Sequence, residues 1–244
     1  MKKNENDEFI LIDVSDKSCF DPIVQEEKVV GVIDHHYGFE DYWNDKIGNN
    51  SNIEFIGAVI TLIVEEYERD GLLDQMPKEI AMMSMAAILD NTLNFKAKVT
   101  TERDKIAYNK LKILAGCGDD FEERYFVECQ QAIESNLKDA IENDLKVIED
   151  LRLLPHYFGQ LTIWNKDFVL RDMEVVKGIL NSFSNDWILN LICLGEDSSF
   201  ILVSNDDMKS KVEELFNKTC ENNIMDLGGL WLRKEIIKKA REEE

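Results

Sequence analysis

Two short apolar runs, Phe9–Ile12 and Val29–Ile33, stand in polar surroundings, and each ends abruptly in an acid, Asp13 and Asp34. Near-continuous apolar runs of this length read as strands buried on both faces, the pattern of a parallel sheet. Two parallel strands then deliver a carboxylate each to one sheet edge. The Cys19–Gln25 stretch between them carries Pro22 and is too short and irregular for a full crossover helix. Helical spacing follows over Ile53–Arg69, with apolar residues at 56, 59, 60, 63, 64 and 67 and a stop at Gly71. Pro77 suits the first turn of a helix running through Ile80 and Met83 to Leu89. Thr101 with Asp104 three positions on makes a capping arrangement for a helix to about Ala115, stopped by Gly116.

From Phe121 to Leu151 the pattern predicts one long helix, or two broken near Ser135 and Asn136, ended by Pro155. Strand-like runs recur at Gly159–Trp164, Trp187–Leu194 and Phe200–Val203, with helical patterns around Met173–Phe183 and Asp207–Cys220. The fold class predicted is α/β. A parallel-sheet domain over 1–120 is followed by a connecting helix over 121–151 and a smaller α/β domain over 152–244.

Composition narrows the function. A chain of 244 residues with 44% hydrophobic content builds packed cores. Its 49 acidic against 28 basic residues, a formal charge of −21, repel a phosphate backbone and disfavour extended nucleic acid as a partner. Small phosphorylated molecules stay open, because a bound cation and a few focused Lys or Arg invert the local field. The five cysteines lack any CxxC spacing, no apolar signal segment precedes the first strand, and no run reaches the length of a membrane span. These features predict a soluble cytoplasmic protein with reduced thiols and no membrane partner.

The chain has three histidines, and two of them, His35 and His36, stand directly behind Asp34 at the end of the second strand. Open α/β sheets place their chemistry at the C-terminal strand ends, and imidazole beside carboxylate suits a divalent metal. The tripeptide taken alone reads equally as a strand-end acid with two incidental histidines; Asp13 from the neighbouring strand favours a site. Asp90 and Asn91 fit the end of a helix as well as they fit metal binding. On charge alone, Arg233 and Lys234 fit a solvated helix face, and His156 beside Pro155 reads as a loop residue.

Three features fall in order: LIDVSD with Asp13, then the DHH of residues 34–36, then AAILDNTLNFKAKVTTERD. Together with FGQLTIW and WLRKEII in the second half, they resemble the DHH phosphoesterase superfamily, in particular its branch of manganese-dependent inorganic pyrophosphatases and exopolyphosphatases. The resemblance runs from Asp7 to about Lys239. It implies that Asp13 bridges two metals, that His35 is a ligand, and that Asp90 completes the cluster. His36 would touch substrate or orient a ligand, with Asp34 supporting both in catalysis. Arg233 and Lys234 would clamp phosphate oxygens, with Lys96 or Lys98 assisting.

The implied activity is metal-dependent hydrolysis of pyrophosphate, polyphosphate or a small phosphate ester or anhydride. Water would be activated by two manganese ions about 3.5–4 Å apart, or by magnesium or cobalt in their place. The connecting helix would act as a hinge, and a homodimer through the N-terminal sheet stays open. Two departures stand against this. Nothing before Asp13 matches the family's HxxPDxDA or DxDA motif, so the first strand–helix unit is expected to be missing by truncation, as a separate polypeptide, or by loss. Alignment through Thr92, Phe95 and Lys96 puts neutral Asn91 where the family has a metal-binding Asp. The alternative function is a non-catalytic phosphate-ligand-binding or interaction protein with a degenerate site.

Overall fold

The apolar runs of the first half fold as predicted into β1 (Phe9–Ile12) and β2 (Val29–Asp34), paired in parallel with Ile12 opposite Ile33. The computed structural model of the chain describes residues 6–149 and 151–243. It divides into two units, Met1–Asp119 and Asp120–Glu244. Between β1 and β2 the chain makes 3-10 turns at Lys17–Cys19 and Glu26–Lys28 in place of a crossover helix. A short helix, α1 (Glu40–Ile47), then leads to β3 (Ser51–Ile53), which pairs in parallel with β2.

Here one expectation is corrected. The helix read from Ile53 begins only at Val59, as α2 (Val59–Arg69), because Ser51–Ile53 pair with β2 and Glu54 N–H continues the ladder to the Asp34 carbonyl at 3.2 Å. Ile56, counted in the helical period, is buried in the loop instead. The expected helix after Pro77 forms as α3 (Lys78–Thr92), burying Ala81, Met85, Ile88 and Leu89 while Ile80 and Met83 stay exposed. α4 (Glu102–Ala115) carries the predicted capping box of Thr101 and Asp104, and it ends at left-handed Gly116 with φ 69°.

One face of the three-stranded sheet packs Leu11, Val29 and Val32 against fully buried Trp43 of α1. The Trp43 indole N–H donates to the Ser15 carbonyl at 2.9 Å, tying α1 to the loop that follows Asp13. Trp43→Phe keeps most of the ring but leaves that carbonyl without its donor. The expected loss is about 1–2 kcal/mol by urea unfolding; unchanged stability would show that water replaces the indole.

In the second unit, the long amphipathic stretch breaks at Asn136 into α5 (Phe121–Ser135) and α6 (Leu137–Asp144). It stops well short of Leu151: Leu145 turns extended, and β4 (Lys146–Val147) pairs antiparallel with β5 (Tyr157–Ile163). Leu137 and Ile141 pack into the core of this unit, so the stretch read as a connection belongs to its helical layer. α7 (Asp167–Arg171), α8 (Met173–Asn181), β6 (Trp187–Cys193), β7 (Ser198–Val203), α9 (Asp206–Phe216), β8 (Ile224–Asp226) and α10 (Arg233–Glu243) complete it. The sheet order is β4-β5-β6-β7-β8, with β5 and β6 parallel and the other neighbours antiparallel.

Every residue of β6 and β7 is buried, because helices cover both faces. Trp187, Leu189 and Leu191 meet α6 and α8 on one side, while Ile188 and Ile201 meet α9 and α10 on the other. Burial pushes the Cys193 and Cys220 thiols up, away from thiolate chemistry. Among the described residues no helix is long and apolar enough to cross a membrane.

Candidate metal centre

β1 ends at Asp13, whose φ of 63° is left-handed, a conformation that Asp tolerates better than most side chains. Its backbone N–H still donates to the Ile33 carbonyl at 3.0 Å, so the turn is anchored on β2. β2 ends one residue before the two histidines. Among the described residues, Asp13, His35 and His36 form the one group of three potential metal donors within 4.8 Å of one another.

The hydrogen bonds around these side chains fix what each ring presents. His35 Nδ1 lies 3.1 Å from the Ile56 carbonyl, which only accepts, so in the neutral ring Nδ1 carries the proton and Nε2 the lone pair. That Nε2 faces Asp13 Oδ1 at 3.2 Å, and the His35 side chain is only 15% exposed. Two acceptors held so closely repel each other unless a cation lies between them. His36 Nδ1 donates to Asp34 Oδ1 at 2.8 Å, which leaves the lone pair of this exposed ring on Nε2.

Asp34 itself is fully buried, and its Oδ1 also accepts the backbone N–H groups of His35 at 2.7 Å and His36 at 3.2 Å. Burial pushes its carboxyl up, but the hydrogen bonds from the His36 ring and the two amides, with the Ser15 hydroxyl close by, outweigh this and hold it below the ordinary carboxylate range. Asp34 therefore stays charged and orients both histidines without itself joining the donor group. An imidazole lone pair with a carboxylate fits one divalent first-row cation, and a carbonyl fixing the ligand tautomer is the usual support for it.

Asp90 is itself exposed on the last turn of α3 and is not in the donor group. Asn91 turns its amide back onto its own helix, donating to the Ala87 carbonyl at 3.0 Å. After them Leu93, Asn94 and Phe95 are all left-handed, with φ between 49° and 63°. Buried Thr92 holds this strained reversal: its hydroxyl donates to the Ile88 carbonyl and accepts the Phe95 N–H, while its carbonyl accepts the Ala97 N–H. Lys96 and Lys98 follow on the exposed surface.

In the second unit Arg233 is committed to Asp144. Its Nη1 donates to Asp144 Oδ2 at 2.8 Å and to the Asp144 and Phe158 carbonyls, and its Nη2 donates to Asp144 Oδ1 at 3.2 Å. Lys234, next to it, is exposed. His156 is a loop residue, its Nδ1 held by the Ile148 carbonyl at 3.1 Å.

Sequence reasoning missed the Ile56 carbonyl, a main-chain atom with no signature of its own, and the Gly57–Ala58 pair beside it. The signal available was Gly57 interrupting a helical period. A Cβ on Gly57 would lie 2.7 Å from Asp104 Oδ2 and 2.8 Å from Thr92 Cγ2.

No family model matches the chain. It is 27% identical over 250 residues to the manganese-dependent inorganic pyrophosphatase of Methanocaldococcus jannaschii, an alignment covering 94% of this chain and 77% of that protein. With the manganese-dependent inorganic pyrophosphatase of Bacillus subtilis it shares 26% identity over 257 residues, covering 96% and 76%. A crystal structure of the Methanococcus jannaschii putative family II inorganic pyrophosphatase superposes with a TM-score of 0.60 and 22% identity, over 88% of this chain and 74% of that one. The chain is thus homologous over most of its length to proteins of that name, as the order of its motifs implied.

Proposed function

We propose that this homologue of the manganese-dependent inorganic pyrophosphatases is a metal-dependent phosphohydrolase acting on pyrophosphate or a comparable small phosphoanhydride. The observation that carries this reading is the lone pair of His35 Nε2 set 3.2 Å from Asp13 Oδ1, on an imidazole whose tautomer is already fixed. These two groups would hold Mn2+, which, when bound, supplies a Lewis acid that lowers the pKa of water and neutralises phosphate charge.

The remaining steps belong to side chains. Asp34 keeps the His36 ring oriented by accepting its Nδ1–H, which leaves Nε2 of the neutral ring as an acceptor suited to take a proton from water or from a phosphate hydroxyl. Lys96 and Lys234 are exposed ammonium groups suited to non-bridging oxygens as point charges. We place Asp13 and His35 as ligands and His36 at the substrate.

Purified protein supplied with Mn2+ and pyrophosphate is expected to release phosphate, to stop on chelation, and to recover when Mn2+ is returned. Stoichiometric Mn2+ binding with release no faster than the metal-only blank would overturn hydrolysis. That outcome would favour a second reading, a phosphate-ligand-binding protein without turnover. The features that support the second reading are the donor group of three and the amide of Asn91 tied to its own helix.

A further inference from the structure

Asp104 is fully buried on the first turn of α4, and its carboxylate accepts five hydrogen bonds among the described residues. Thr101 supplies two, from its N–H and its hydroxyl, both at 2.8 Å. The other three come from across the unit: Gly57 N–H at 3.0 Å, Ala58 N–H at 3.1 Å and the Thr61 hydroxyl at 2.7 Å. A capping box requires only one of these five, the bond from the Thr101 N–H. The neighbouring Arg103 holds the same loop at Glu54, donating to its Oε2 at 2.6 Å, and also donates to Glu65 Oε1 of α2 at 2.8 Å. Consecutive residues of α4 therefore bracket Ile56, whose carbonyl receives His35 Nδ1–H.

We propose that Asp104 is a positioning residue for the candidate metal centre: by holding the Gly57 and Ala58 amides it fixes the Ile56 carbonyl, which keeps the His35 proton on Nδ1 and the lone pair on Nε2. The competing state is specific. If the carbonyl withdraws, the proton moves to Nε2 and donates to Asp13 Oδ1, already 3.2 Å away. That pair satisfies itself and offers a cation no imidazole lone pair. Gly57 is part of the device, since a Cβ there would press on both Asp104 and Thr92 and displace the loop. The consequence for metal binding rests on the reading of His35 as a ligand; the tautomer does not.

The test uses the full chain, 15N-labelled and metal-free at pH 8, where an ordinary imidazole is neutral. Long-range 1H–15N spectra report which ring nitrogen carries the proton, and His35→Gln assigns the His35 signals. Wild type is expected to show His35 protonated on Nδ1. Asp104→Asn, which turns an acceptor into a donor against the amides, is expected to move protonation to Nε2 and to weaken Mn2+ binding by about 10-fold, the lower end for loss of a supporting partner. Gly57→Ala is expected to do the same, and it decides the matter should Asp104→Asn fail to fold. Leu111→Ala, a core deletion on the same helix, is expected to lower stability with His35 still protonated on Nδ1. If His35 stays protonated on Nδ1 in both loop variants, or shifts equally in Leu111→Ala, the inference falls. Should the tautomer shift as expected in a protein that binds no Mn2+, the positioning role stands and the metal reading falls.

Discussion

His35→Ala is expected to abolish manganese-dependent phosphate release and to cut Mn2+ affinity by more than the roughly 10–100-fold that follows loss of a mere supporting partner. The reason is the small size of the donor group. With His35 gone, the pair at 3.2 Å disappears, leaving an exposed carboxylate and the exposed ring of His36. The fold should persist, because His35 gives up one hydrogen bond, to the Ile56 carbonyl, for about 1 kcal/mol. His36→Ala makes the contrasting case. Its ring is 64% exposed and its Nδ1 is held by Asp34, and we place it at the substrate, so turnover should fall while bound Mn2+ stays near the wild-type level. Elemental analysis, phosphate release and urea unfolding on both variants separate these effects. Turnover in His35→Ala equal to wild type would remove His35 from the metal and, with it, the proposed mechanism.

How much of this was legible depends on which physical signal each residue leaves. Asp13, Asp34 and His35 were readable because parallel strands end on a common edge, and an apolar run stopping at an acid marks that edge directly. The capping box of α4 was equally readable, since Thr and Asp at three-residue spacing have a local cause. Elements of two or three residues left too short a pattern. β3 hid within an apparent helical period that included Ile56, and β4 hid at the end of the amphipathic stretch after Asp144, where pairing with β5 overrides spacing. Asp104 shows the deeper limit. Its capping role was local and legible, whereas its bonds to Gly57 and Ala58, more than forty residues away, exist only in the folded chain.

Arg233 is where motif and geometry pull apart, and its substitution is expected to show in stability before it shows in substrate binding. The resemblance places it on substrate, yet its guanidinium is already forked onto Asp144 and the Phe158 carbonyl, and the Arg233 side chain is only 13% exposed. The adjoining backbone is held as well: Arg233 N–H donates to Gln160 Oε1 at 2.7 Å, and buried Asn190 donates to the Trp231 carbonyl at 2.7 Å. Arg233→Met therefore leaves Asp144 without its cation at the start of α10. Breaking a fully buried pair costs about 3–5 kcal/mol. Asp144 keeps 36% of its side-chain exposure and recovers some solvation, so about 2–3 kcal/mol is expected by urea unfolding. Lys cannot reproduce the fork, so Arg233→Lys should recover only part of the loss. Lys234→Met, on an exposed neighbour, should leave stability within about 0.5 kcal/mol and weaken pyrophosphate binding instead. If Arg233→Met unfolds like wild type while its KM for pyrophosphate rises, the Asp144 pair is dispensable and the guanidinium turns to substrate during the reaction.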